Sequence, residues 1–301
     1  MDIITFRGEI AALSSAAIWA MSSIIYARVG DRIPPVTLNL LKGLAAIGFT
    51  LLTLLVRQDA FPQMDSTSIV LLVISGAVGI GLGDTAFFES LNCLGARRGL
   101  LLEALSPPLA ALIAWVCLGE RLPPIAALGI ALSVGGIVWV IVERSPNMTA
   151  SKPVPPLRLR RGVIFGSIAA LAQASGAVLS RAALADTTVP PLWSSLIRIV
   201  AGCGVLLGCL GASSRASSLS VLRSPRVVAL VGTTAFASTF LAIWLQQTAL
   251  KYTATGIAQA IGATSPLFAI PVAVLLGEQV SFRAILGAMV ALVGIWLLFV
   301  A

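Results

Sequence analysis

The chain has 301 residues, of which 58% are hydrophobic and 11% charged, with a mean hydropathy of +1.00 and a formal net charge of +8. A soluble domain of this size cannot hide so much apolar surface, so the solvent for most of the chain is lipid. Histidine is absent, which removes the commonest metal ligand and general base; no catalytic residue, metal site or cofactor is expected, and the chain is not read as an enzyme.

In hydrocarbon the backbone polar groups must satisfy one another, and apolar runs of about 20 residues without period-two alternation select helices over a barrel. In chain order the runs lie at 8–27, 36–56, 68–91, 98–118, 124–142, 162–185, 191–211, 226–247, 254–276 and 282–300. The expected fold is all-α integral membrane, with ten transmembrane helices. The first run lacks the charged start and small-residue cleavage pattern of a removable signal and is read as a helix. Residues 143–161 carry Pro146, Pro153, Pro155 and Pro156 and read as a basic linker between a first unit, 1–142, and a second, 162–301. Cys93, Cys117, Cys203 and Cys209 show no metal or disulfide spacing.

Lysine and arginine in short loops are retained on the cytoplasmic side. Of the 20 basic residues, 13 fall on the face holding the linker, five on the other, and Lys42 and Arg198 inside helices. The linker is expected to be cytoplasmic and both termini outside. The basic balance is thus a topology signal, and no soluble basic surface exists to bind nucleic acid.

Residues 106–120, SPPLAALIAWVCLGE, recur 158 positions later as 264–278, TSPLFAIPVAVLLGE. At that offset Ala126, Leu128, Gly129, Gly136 and Ile137 meet Ala284, Leu286, Gly287, Gly294 and Ile295. Pro34, Pro35 and Lys42 meet Pro190, Pro191 and Arg198 at offset 156, and Gly8 and Ala20 meet Gly162 and Ala174 at offset 154. These matches read as one duplication. Five helices per copy is an odd number, so the second copy enters the membrane inverted, an architecture typical of secondary transporters.

In these blocks and others, the sequence resembles the EamA family of the drug/metabolite transporter superfamily over nearly its whole length. The carrying residues are Trp19 in helix 1, the basic residue of helices 2 and 7, the run ALKYTAT from Ala249 to Thr255, and the two blocks ending at Gly119-Glu120 and Gly277-Glu278. The first copy departs at the counterpart of ALKYTAT, reading SLNCLGA. The resemblance implies a carrier of the bacterial inner membrane with a central cavity between the copies. Export of amino acids or other small metabolites is the expected activity. A flippase of a lipid-linked sugar and a non-transporting scaffold stay open as alternatives.

Pro107, Pro108, Pro266 and Pro271 fall at matched depth and are expected to break helices 4 and 9, either to line a binding site or as packing kinks. Charges inside the bilayer need partners or water. Lys42 is expected to pair with Asp84 or Glu103 on the cytoplasmic side, as a static ion pair or as a proton-coupling group. The second copy has no such acids, so Arg198 is expected alone toward the outer side, gripping a solute carboxylate or snorkelling to the interface. Trp19, Ser23, Asn39, Gln173, Trp244, Gln247 and Gln259 complete the candidate substrate-binding set, with Gln173 aligned to Trp19. Glu120 and Glu278 are read as structural turn residues. The expected partners are a small-molecule solute, the lipid bilayer and protons as a candidate coupling ion.

Overall fold

The computed structural model describes residues 6–30, 33–94, 99, 102–142, 156–212, 225–265, 267–268 and 282–300. Every regular element among them is helical: α1 Arg7–Gly30, α2 Pro35–Arg57, α3 Ser66–Leu94, α4 Ser106–Leu118, α5 Pro124–Val142, α6 Pro156–Leu184, α7 Pro191–Ala212, α8 Pro225–Tyr252, α9 Thr255–Gly262 and α10 Phe282–Val300. Five of these start on proline, whose missing N–H has no intrahelical acceptor in the first turn and whose φ is already helical. Gly119 closes α4 in the left-handed conformation at φ 68°, and Asp65 opens α3 by accepting from the Ser68 N–H at 3.0 Å.

By length and composition α2, α3, α6, the Pro191–Gly211 part of α7 and the Val228–Tyr252 part of α8 are able to cross a membrane; apolar stretches of α4, α5 and α10 are shorter. Leu52, Leu55, Val56, Trp115, Val116 and Trp296 point outward without protein cover, as side chains facing lipid do.

Two helices change winding midway. Gly76–Asp84 of α3 and Phe236–Leu241 of α8 are π-helical. A π segment inserts residues into the i→i−4 ladder and leaves carbonyls in need of donors. Side chains supply them: Asn39 Nδ2 donates to the Ile80 carbonyl at 2.8 Å, Thr85 Oγ1 to that of Gly81 at 2.7 Å, and Ser15 Oγ to that of Ala242 at 2.9 Å.

The helices pack in matched pairs. α3 lies on α6 and α8 on α1; α4 lies on α6 and α9 on α1; α2 packs on α7 and α5 on α10. The α5/α10 crossing rests on small residues. A Cβ on Gly136 would lie 2.6 Å from the Gly287 carbonyl oxygen, and one on Gly294 would lie 2.7 Å from that of Gly129. Adding 158 to the first pair, or subtracting it from the second, interchanges these residues, so the contact maps onto itself. Close backbone approach of this kind is the main source of helix association where lipid removes the hydrophobic drive.

The break in helix 4 differs in detail from the expected mid-helix kink. A turn occupies residues 104–105 and α4 starts afresh at Ser106, so Pro107 and Pro108 sit in its first turn, where they cost no intrahelical hydrogen bond. The second copy turns at the matched place: α9 ends at Gly262, which is 158 positions after Ala104. Pro266 and Pro271 lie outside the described residues.

Gly136→Val is expected to lower the unfolding midpoint of the detergent-solubilised protein, at a cost of about 1–3 kcal/mol from overpacking. Gly135→Val is the control, because a Cβ there meets nothing within 4 Å; equal thermal midpoints for the two variants would show that the crossing tolerates separation.

Candidate solute cavity

A cavity of about 120 Å³ opens among α1, α3, α4, α6, α7, α8 and α9. One face of α1 lines it at helical spacing through Ala12, Ser15, Ala16 and Trp19. Opposite copies contribute matched positions. Trp19 and Gln173 both line the cavity, as do Asp84 and Ala242, and Ala104 and Gly262. The turns that interrupt helices 4 and 9 therefore form part of the wall, and Pro107 contributes to it whereas Pro108 points outward.

The charges converge here. Lys42 Nζ lies 2.6 Å from Asp84 Oδ2, choosing Asp84 over Glu103 among the two expected partners. Its ammonium is boxed by the rings of Phe88, Trp19 and Tyr26 at 4.9, 5.4 and 5.9 Å, and the side chain is 1% exposed. Lys42 stands behind the wall and Asp84 forms part of it. Glu103 also lines the cavity, and its Oε2 finds no donor among the described residues.

Arg198 corrects the expectation of an isolated cation toward the outer side. It is 2% exposed, so it does not snorkel, and it lines the same cavity as Asp84 and Glu103. The reason is tertiary: α7 packs against the π segment of α3, so the second copy's base enters the space that holds the first copy's acids. Arg198 Nε and Nη1 find no acceptor among the described residues. A buried guanidinium with free donors is ready for an anion.

The remaining candidates divide. Gln259 lines the cavity, and its Nε2 reaches the Gln173 carbonyl at 3.4 Å. Asn39 is fully buried and spends its amide on Ile80 and on Thr85 Oγ1. Gln247 accepts from Ser194 Oγ at 2.8 Å, and Trp244 packs between Phe240 and the Arg57 guanidinium; neither lines the cavity. The side chain of Ser23 lies outside the described residues. Ser15 and Ser238 were not singled out by sequence reasoning, yet both line the wall. Ser15 lies four residues before Trp19, so the helical face marked by that tryptophan would have found it.

At the end of the molecule near the start of α1, a charged clasp joins the copies. Glu120 Oε1 accepts from Arg181 Nε at 2.8 Å, and its Oε2 accepts from the Thr255 N–H at 2.9 Å. Arg181 Nη1 donates to the carbonyls of Leu250 and Lys251 at 3.0 and 2.8 Å. One carboxylate thus caps the start of α9 while one guanidinium caps the end of α8, each with the polarity that the helix terminus favours. The run from Ala249 to Thr255 is the segment they hold.

The model of the EamA-like transporter family matches residues 6–142 and again 160–300. The chain belongs to the EamA-like transporter family. The family is one of membrane transporters. Over 137 residues it is 28% identical to a Pseudomonas aeruginosa protein named Uncharacterized protein PA1977, an aligned stretch covering 46% of either chain. The match thus spans about half the length of this curated relative. A solved crystal structure, described only as that of a protein, superposes with a TM-score of 0.76 over 96% of this chain and 95% of its own, at 15% identity. At that identity the likeness is one of fold.

Within this EamA-like transporter, Glu120→Ala removes the acceptor for both Arg181 and the α9 terminus. It is expected to cost about 1–3 kcal/mol, since a half-buried charged hydrogen bond is lost and a guanidinium is left short of a partner. Thermal unfolding in detergent measures this; a midpoint within error of the wild type would show the clasp to be incidental.

Proposed function

We propose that the protein exports amino acids or related small metabolites by alternating access, through the central cavity between two inverted five-helix repeats, residues 1–142 and 162–301. The observation that carries this reading is the pair of unsatisfied groups facing one cavity: the Arg198 guanidinium from one repeat and the Glu103 carboxylate from the other. A solute with a carboxylate and an ammonium group would satisfy both, replacing the water each loses on burial.

Several features support the architecture. Among the described residues ten helices follow in order when each π segment is counted with the helix it interrupts. Their main packing partners, α3 on α6 with α8 on α1, α4 on α6 with α9 on α1, and the self-matched pairs α2/α7 and α5/α10, are kept when first and second copies are exchanged. Both π segments fall in the third helix of a copy and both broken helices in the fourth. Interrupted helices at corresponding places in two repeats mark the midplane site of secondary transporters. In this reading Lys42 and Asp84 form a static ion pair, Glu103 is the proton-coupling group, and residues 143–161 are cytoplasmic with both termini outside a bacterial inner membrane.

Counterflow in proteoliposomes, screened against amino acids, organic acids, nucleosides and lipid-linked sugars with and without a pH gradient, identifies the solute. Arg198→Gln is expected to weaken uptake affinity for a carboxylate-bearing solute by roughly tenfold or more, the worth of a desolvated bidentate contact. Unchanged affinity would remove Arg198 from recognition. Glu103→Gln is expected to abolish the dependence on a pH gradient, and a retained dependence would exclude it as the coupling group. For topology, a cysteine at Lys152 in a cysteine-free background should react with an impermeant maleimide only from the cytoplasmic side; labelling from outside would reverse the orientation.

A further inference from the structure

We propose that Lys42 is a specificity-determining positioning residue: by holding Asp84 in an ion pair it keeps that carboxylate off Arg198 and leaves the guanidinium available to an anionic solute. The use made of the free guanidinium rests on the transport reading above; the pairing itself does not.

The geometry places one acid between two bases. Lys42 and Arg198 occupy matched positions on α2 and α7, which pack on one another. The residue matched to Asp84 in the second copy is Ala242, so the symmetry of the bases is not repeated in this acid. Arg198 lies along the same π segment that ends in Asp84. A Cβ on Gly79 would lie 3.2 Å from Arg198 Nη2, and one on Gly76 would fall on the Arg198 backbone. In a π segment the backbone bonds link residues five apart, so Gly79 and Asp84 are successive neighbours along one side. Asp84 thus follows, one turn on along α3, the glycine that the guanidinium touches, and both side chains line the same cavity.

Which base the acid takes is decided by Lys42. Its ammonium, enclosed by three aromatic rings, sits 2.6 Å from Asp84 Oδ2. Attraction falls with distance and rises with desolvation, so the enclosed contact dominates. Arg198 is left with two unpartnered nitrogens among the described residues. Without Lys42, Asp84 would be a buried carboxylate with no cation, a state costly enough that it would take the next base along its own helix. Arg198 would then be neutralised from within, and an anionic solute would have to displace a tethered carboxylate to bind.

The test reads Arg198 directly. Methylglyoxal, a small neutral reagent, modifies accessible guanidinium groups, and mass spectrometry of peptides resolves the rate at Arg198 from that at other arginines. Wild type is expected to react at Arg198. Asp84→Asn should react at the same rate, because Asp84 does not cover the guanidinium while Lys42 holds it. Lys42→Gln should react roughly tenfold more slowly, the effect of one strong ion pair, and Lys42→Gln/Asp84→Asn should return to the wild-type rate. A faster reaction in Asp84→Asn would show that Asp84 already shields Arg198 and would overturn the proposal. So would an inert Arg198 in wild type, an unchanged rate in Lys42→Gln, or a double variant as slow as the single one. If Lys42→Gln does not fold, Lys42→Met, which removes the charge and keeps the length of the side chain, takes its place with the same expected and overturning rates. No solute enters this measurement, so its failure is separate from a failure of Arg198→Gln to alter transport.

Discussion

Lipid offers no hydrogen bonds, and this constraint governs every polar atom in the chain. It forces the backbone into helices and then penalises each departure from them. Several of the departures among the described residues are repaired from nearby side chains. Asn39, Thr85 and Ser15 supply donors to carbonyls in or beside the π segments, and the Glu120–Arg181 clasp supplies both an acceptor and a donor to two helix ends that meet in a short turn. Irregular backbone is tolerated at depth only where protein or a cavity receives it. Here it is gathered around the cavity.

The same constraint explains the economy of charge. Intramembrane charges are expensive, so each of the four around the cavity calls for a structural or functional account. Lys42 and Asp84 satisfy each other. Arg198 and Glu103 keep free polar atoms turned toward a space wide enough for a small molecule. Packing makes this sustainable: the glycines of α3, α6 and α7 let backbones touch, so the charged side chains have fixed walls around them.

Much of this was legible in the residues. Apolar runs located the helices, the repeat located the matched breaks, and depth along helices 2 and 3 brought Lys42 and Asp84 together. Aligning the copies set Gln173 opposite Trp19, and both line the cavity. Other features left no local trace. The π segments carry no sequence signature distinct from an apolar helix. Asn39 looks like a cavity amide, yet it is spent on the backbone of α3. Arg198 was expected apart from the acids, since depth counted along one helix ignores how far its neighbours slide past it.

Helical runs, loop charge and an internal sequence repeat depend on neighbours along the chain, and the sequence by itself determined them: an all-helical membrane protein with few charges inside its apolar runs. Which charges meet depends on the register of helix crossings, set by contacts such as Gly76 on the Arg198 backbone and Gly136 on Gly287. Those contacts join residues far apart in the chain, and their geometry follows from the sum of all the packed surfaces. Only the tertiary structure decided that Arg198, Asp84 and Glu103 share one cavity, and that Lys42 stands behind it.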